Sequence, residues 1–132
     1  MHRIGFLISD GFQIMALASQ SVFEYANMTA GEAFYTLENF SVAGGEVRSS
    51  LGMAVNTRSL RGKAEVDTWF VAGVNDPLSS PAPEKILAFL RKESTRARRI
   101  AGICTGGFVL AEAGLLAHRR ATTHWYFGRE MQ

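Results

Sequence analysis

The chain has 132 residues, 47% of them hydrophobic and 20% charged, which is enough apolar material for one packed domain and argues against disorder. Fourteen Lys and Arg against twelve Asp and Glu leave a net charge of +2, too small for this chain to grip nucleic acid by itself. A single Cys excludes an internal disulfide, and the absence of a C-x-x-C or a His/Cys cluster leaves no metal or cofactor expected, as suits a reducing cytoplasm.

The N-terminal apolar run is too short for a signal peptide, and no stretch approaches a membrane span. Residues 4–9 form a continuous apolar run closed by Asp10-Gly11, the pattern of a first buried strand and hence of a parallel sheet. Over 15–27, Leu17, Ala18, Ser21, Val22, Tyr25 and Ala26 recur at helical spacing opposite Gln20 and Glu24, which predicts a crossover helix. A second strand is expected over 34–42, ending at Gly44-Gly45, and a small hairpin over 46–56 around Ser49-Ser50-Leu51-Gly52. Residues 68–72 read as another strand, stopped by Gly73.

Pro81 and Pro83 suit the first turn of a helix, with Ile86, Phe89 and Leu90 at core spacing behind them, so a helix is expected over 80–95. The basic residues Arg91, Lys92, Arg96, Arg98 and Arg99 then read as a solvated helix end. His2 and His118 read as exposed bystanders, the five Met as core filler, and Trp69 and Trp125 as core or rim aromatics.

A strand over 99–103 and a helix over 108–116 leave only Cys104 to Gly107 between them. Gly102, Gly106 and Gly107 permit so sharp a turn, the geometry of a nucleophile elbow with Cys104 at its tip. A short strand over 119–123 is expected to return the chain and deliver His124 and Trp125. Strands alternating with helices at this spacing predict an open, mostly parallel α/β sheet covered on both faces. Sites in such sheets form at the carboxyl ends of the strands, which gathers Asp10 to Gln13, Gly73 to Asp76 and the elbow, with His124 joining them. A Cys on an elbow followed by a His on a return strand is the arrangement of a thiol nucleophile and its base.

The run Gly102-Ile103-Cys104-Thr105-Gly106-Gly107-Phe108-Val109-Leu110, continuing into Thr122-Thr123-His124-Trp125, resembles the ThiJ/PfpI-type, class I glutamine amidotransferase-like N-terminal domain of AraC-type transcriptional regulators. The opening Gly5-Phe6-Leu7-Ile8-Ser9-Asp10-Gly11-Phe12 and the helix ending Tyr25-Ala26-Asn27 are similar to the same group. The resemblance implies a flavodoxin-like sensor domain acting ahead of a helix-turn-helix DNA-binding domain. Its effector would be a small nitrogenous metabolite such as an amino acid, a betaine or a carnitine-like amine. The family's sensor domain continues past the His-Trp pair, so the resemblance implies an incomplete domain over 1–132, without its DNA-binding part.

The enzymatic branches of that superfamily need a carboxylate to orient the imidazole or hold the thiolate, and the matching positions here are Tyr126, Thr105 and Ala16. The expected role is therefore a ligand-sensing homodimer without catalytic residues. Asp10, Gly73 and Val74 would line its cleft from one side, and Cys104, Thr105, His124 and Trp125 from the other. The alternative is a stand-alone cysteine hydrolase or hydratase with Cys104 as nucleophile, His124 as base and the N–H groups of Thr105 and Val74 as oxyanion donors. A third reading is an inert oligomerisation module.

Overall fold

A computed structural model describes residues 1–62 and 64–132. In chain order the elements are β1 (His2–Leu7), α1 (Met15–Ala18), α2 (Gln20–Ala30), β2 (Tyr35–Ser41), β3 (Gly45–Arg48) and β4 (Ala54–Ser59), followed by β5 (Thr68–Ala72), α3 (Glu84–Glu93), β6 (Arg99–Ile103) and α4 (Gly106–Glu112). A short 3₁₀ turn, Trp125–Phe127, follows. The strands form one sheet in the order β3-β4-β2-β1-β5-β6, parallel throughout except where β3 turns back on β4. From β1 the chain winds outward to β2, then returns to β5 on the other side and winds outward again to β6. The winding reverses between β1 and β5, and their carboxyl ends open a crevice there.

β1 reads as an unbroken apolar run because both of its faces are covered. On one face Leu7, Trp69 and Val71 pack with Ile86, Leu87 and Leu90 of α3 and Leu110 of α4. On the other, Phe6 stacks on Phe70, and Phe23 of α2 leans on Phe70 and Tyr35. Ile8, Phe12 and Ala16 close that face near the carboxyl edge. The open, mostly parallel α/β sheet expected from the alternating pattern is the one observed, in the flavodoxin-like form that the resemblance implies.

Several local expectations are corrected. The single helix over 15–27 is two helices broken at Ser19, whose hydroxyl donates to the Ala16 carbonyl at 2.7 Å instead of supporting a continuous helix. α2 is also rotated from the face its apolar residues suggest, with Val22 and Tyr25 exposed while Phe23 turns inward. Polar groups set that rotation: Asn27 exchanges two 2.8 Å hydrogen bonds with the Tyr35 backbone, and Gln20 donates to Asn39 at 2.6 Å. Met15, Met28 and Met53 are exposed rather than core filler. His2 is no bystander, since it lies 2.9 Å from the Thr68 hydroxyl and edge-on to Tyr35.

The helix expected from residue 80 begins at Glu84, with Pro83 extended at φ −57°, ψ 139°. The residue before a proline avoids the helical region, so Ala82 cannot enter a helix ahead of Pro83. The strand expected over 119–123 does not form. Arg119, Arg120 and Ala121 are exposed, and among the described residues they pair with no strand.

Candidate functional site

Cys104 stands at the tip of a true elbow. β6 ends at Ile103, α4 begins at Gly106, and Cys104 bridges them at φ +54°, a left-handed conformation that costs a side-chain-bearing residue about 1–2 kcal/mol. Surrounding contacts enforce this strain. A Cβ on Gly102 would come within 2.6 Å of the Gly107 nitrogen, so strand and helix approach as closely as their backbones allow. A Cβ on Gly73 would overlap the Thr105 hydroxyl and the Gly106 nitrogen. The fully buried Thr105 hydroxyl donates to the Val74 carbonyl at 2.7 Å and stitches the elbow to the end of β5.

The three loops expected at the carboxyl edge do meet. Phe12 forms bridges to both Val74 and Ser49, the Gln13 N–H donates to the Gly73 carbonyl at 3.0 Å, and the Gln13 side chain donates to Asn75 at 2.8 Å. Asp10 sits at the same edge, where its Oδ1 accepts the Arg48 N–H at 3.1 Å. The tail after α4 returns to the elbow without a strand. Thr123 donates to the Cys104 carbonyl at 3.0 Å, and Phe127 meets Phe108 edge-on at 6.0 Å between ring centres.

His124 is positioned by this tail, but toward a different partner from the one the thiol–base arrangement requires. Its Nδ1 accepts the Tyr126 backbone N–H at 3.2 Å. A backbone N–H can only donate, so the neutral imidazole carries its proton on Nε2. A general base needs the opposite tautomer, with Nδ1–H held by a carboxylate and Nε2 free to take the thiol's proton. Among the described residues no carboxylate hydrogen-bonds the ring, and the Cys104 thiol makes no hydrogen bond. Ala16, at one of the carboxylate positions, is buried in the apolar core. Trp125 is 83% exposed, its ring 5.5 Å from that of His124, and so belongs to neither core nor rim. Among the described residues no group of three His, Cys, Asp or Glu side chains is placed to hold a metal ion.

The loop after Gly73 is longer than expected, a strap of residues 74–83 that takes in the positions 80–83 assigned to the helix. It runs from β5 to α3 beside the crevice and borders an open cavity of about 340 Å³ that Asp10 and Val74 line together with Ser80, Pro81, Ala82 and Pro83. Asp76 shapes its first turn, accepting the Leu78 and Ser79 N–H groups at 3.2 Å each. The Ser79 hydroxyl and then the backbone N–H groups hold the Asp76 carboxyl below its ordinary value. The signal was the Pro-Ala-Pro run, which forbids a helix where one was expected.

The family model described as DJ-1/PfpI matches residues 2–132. The chain belongs to the DJ-1/PfpI family. Among curated proteins, an uncharacterized protein in the cpoL 5′ region of Streptomyces lividans is 40% identical over 126 residues, 94% of this chain and 88% of that one. The HTH-type transcriptional regulator GlxA of Rhizobium meliloti is 37% identical over 127 residues, 95% of this chain but 39% of the regulator, so the chain spans little more than a third of that relative. Among solved structures, an AraC family transcriptional regulator from Pseudomonas putida superposes with a TM-score of 0.86 at 21% identity, covering 99% of this chain and 71% of that one, a likeness of fold. This DJ-1/PfpI domain thus has transcriptional regulators among its relatives, as the motif resemblance implies. No helix among the described residues is long and apolar enough to cross a membrane.

Proposed function

We propose that this DJ-1/PfpI domain is a ligand sensor that binds a small nitrogenous metabolite, an amino acid, betaine or carnitine-like amine, at the carboxyl edge of its sheet near Cys104. The binding event passes to DNA through a helix-turn-helix domain that these 132 residues do not include. The observation that carries the reading is the Tyr126–His124 hydrogen bond, which occupies the Nδ1 lone pair and leaves the proton on Nε2, so neither ring nitrogen is set to take a proton from the thiol. HTH-type regulators among the relatives support it from a separate direction. The alternative hydrolase or hydratase needs the opposite tautomer and a carboxylate to hold it.

Transmission requires a partner surface, and the reading includes a homodimer. In support, β6 is an edge strand of the sheet, and Met15, Val22, Tyr25 and Met28 leave an apolar stripe exposed along α1 and α2. A monomer throughout a wide concentration range in sedimentation would contradict the dimer.

The function is tested by screening amino acids and quaternary amines for a melting shift that grows with ligand concentration, alongside assays for hydrolysis of amides, esters and glutamine. Stabilisation without turnover is expected. Turnover that disappears in a Cys104→Ala variant would overturn the sensor and establish the enzyme.

A further inference from the structure

We infer that the effector site is the strap-bordered cavity between β1 and β5, and that it holds its ligand by an aliphatic ammonium end, which meets Asp10. This rests on the sensor reading above and gives it a location and a chemistry.

The chamber exists because the strap cannot settle onto the sheet. Pro81 and Pro83 carry no N–H to pair with the strand ends, and the extended Pro83 holds α3 off until Glu84. The strap is also tied from behind, since the Ala82 N–H donates to the Glu112 carboxylate of α4 at 3.0 Å. A strap stiffened by the local Asp76 turn and tied to α4 at Glu112 keeps the space beneath it open. About 340 Å³ is within the usual range for a small-molecule pocket and has room for roughly ten non-hydrogen atoms.

Its walls choose the ligand. Leu7 and Val71 form the floor, and Ile86 of α3 and Val109 of α4 the side, so the body of the ligand must be aliphatic; Ile8 borders the space at the strand end while its side chain packs on the opposite face of the sheet. Among the described lining residues the only charged side chain is Asp10, and no Lys or Arg lines the space. The nearby Arg48 does not neutralise Asp10. Its backbone N–H reaches Oδ1, but its guanidinium turns away to the Glu46 carboxylate at 2.6 Å and the Gly52 carbonyl at 3.2 Å. Ser9 also lines the chamber, and among the described residues its hydroxyl has no hydrogen-bond partner. One anionic group at an exposed mouth and one idle hydroxyl beside an apolar cavity fit an ammonium head on an alkyl body and favour it over an anionic head; the carboxylate of a zwitterionic effector would stay outside the mouth, in solvent.

Three matched probes read this directly: n-pentylamine (protonated at neutral pH), n-pentanol and pentanoate, titrated into the full chain by calorimetry. The ammonium is expected to bind about tenfold more tightly than the alcohol, as one charge-assisted hydrogen bond provides, with pentanoate weakest. In Asp10→Asn, where an amide oxygen can still accept the Arg48 N–H, that preference should vanish. Ala82→Leu and Val109→Phe, each shown to be folded by circular dichroism and melting, fill the chamber from two sides and should both abolish binding. Equal binding of ammonium and alcohol, a preference that survives Asp10→Asn, or binding that survives both filled chambers would overturn the proposal. Loss of pentylammonium binding in Cys104→Ala with retention in Ala82→Leu would overturn the chamber while leaving the sensor reading standing. Failure of all three probes while an amino acid from the wider panel shifts the melting point would do the same.

Discussion

The two halves of the carboxyl edge are built in opposite ways. Around the elbow, Gly73, Gly102, Thr105 and Gly106 are packed so closely that no extra carbon fits, and the backbone at Cys104 is held in a strained conformation. Immediately past Val74 the chain rises into the strap and borders open space. Cys104 and Thr105 therefore occupy the filled half, and the open space lies in the other. In this fold the elbow serves as a rigid abutment. It fixes the end of β5, and β5 together with the anchored strap fixes the chamber.

The sharpest way to break that contrast is to add carbon to each half. Gly73→Ala forces its methyl against the Thr105 hydroxyl and the Gly106 backbone, which cannot yield cheaply, and should cost about 3 kcal/mol in urea unfolding. Ala82→Leu, which adds more atoms but into the chamber, should cost less than about 1 kcal/mol. Equal losses would mean that the two halves are not packed differently.

Next in size is the stitch between the halves. Thr105→Val keeps the shape of the side chain and removes the hydroxyl that satisfies the Val74 carbonyl in a fully buried position, a change worth about 1–2 kcal/mol by the same measurement. Cys104→Gly should act in the opposite direction, since glycine adopts φ +54° freely. Stabilisation of about 1 kcal/mol in melting experiments is expected, and destabilisation would show that the thiol itself holds the elbow together.

The smallest effect is confined to the strap. The fold depresses the Asp76 pKa, so its contribution is complete above the unfolded value and lost as pH falls through the lower folded one. The Leu78 and Ser79 amide resonances should titrate with a midpoint below the ordinary aspartate value of 3.8, and the Asp76 turn should stay intact through neutral pH. A midpoint above that value would contradict the Ser79 and Leu78 hydrogen bonds as its cause.

The legible parts of the molecule are those governed by local chemistry. Apolar runs at 4–9 and 68–72 mark buried parallel strands because both faces of such strands are covered, whereas the similar run at 99–103 forms the edge strand of the sheet and none of its residues is buried. The glycines around Cys104 mark an elbow because nothing else can turn so tightly. What escaped depends on partners far along the chain. Residues 119–123 have strand-like composition, but a strand needs a neighbour and the tail instead docks through Thr123 and Phe127. The orientation of α2 follows from Gln20 and Asn27 finding Asn39 and Tyr35, which helical periodicity cannot reveal. His124 was legible as a residue that the tail carries back toward the elbow, while its hydrogen bond to Tyr126 was not.

That hydrogen bond is also the most direct point of test. Nitrogen-15 NMR of the His124 ring in the neutral form reports which nitrogen carries the proton. A site that binds without reacting requires the proton on Nε2, with Nδ1 accepting the Tyr126 N–H. A protonated Nδ1, with Nε2 accepting a hydrogen bond from Cys104, would contradict the account and restore the thiol and imidazole as a nucleophile and its base.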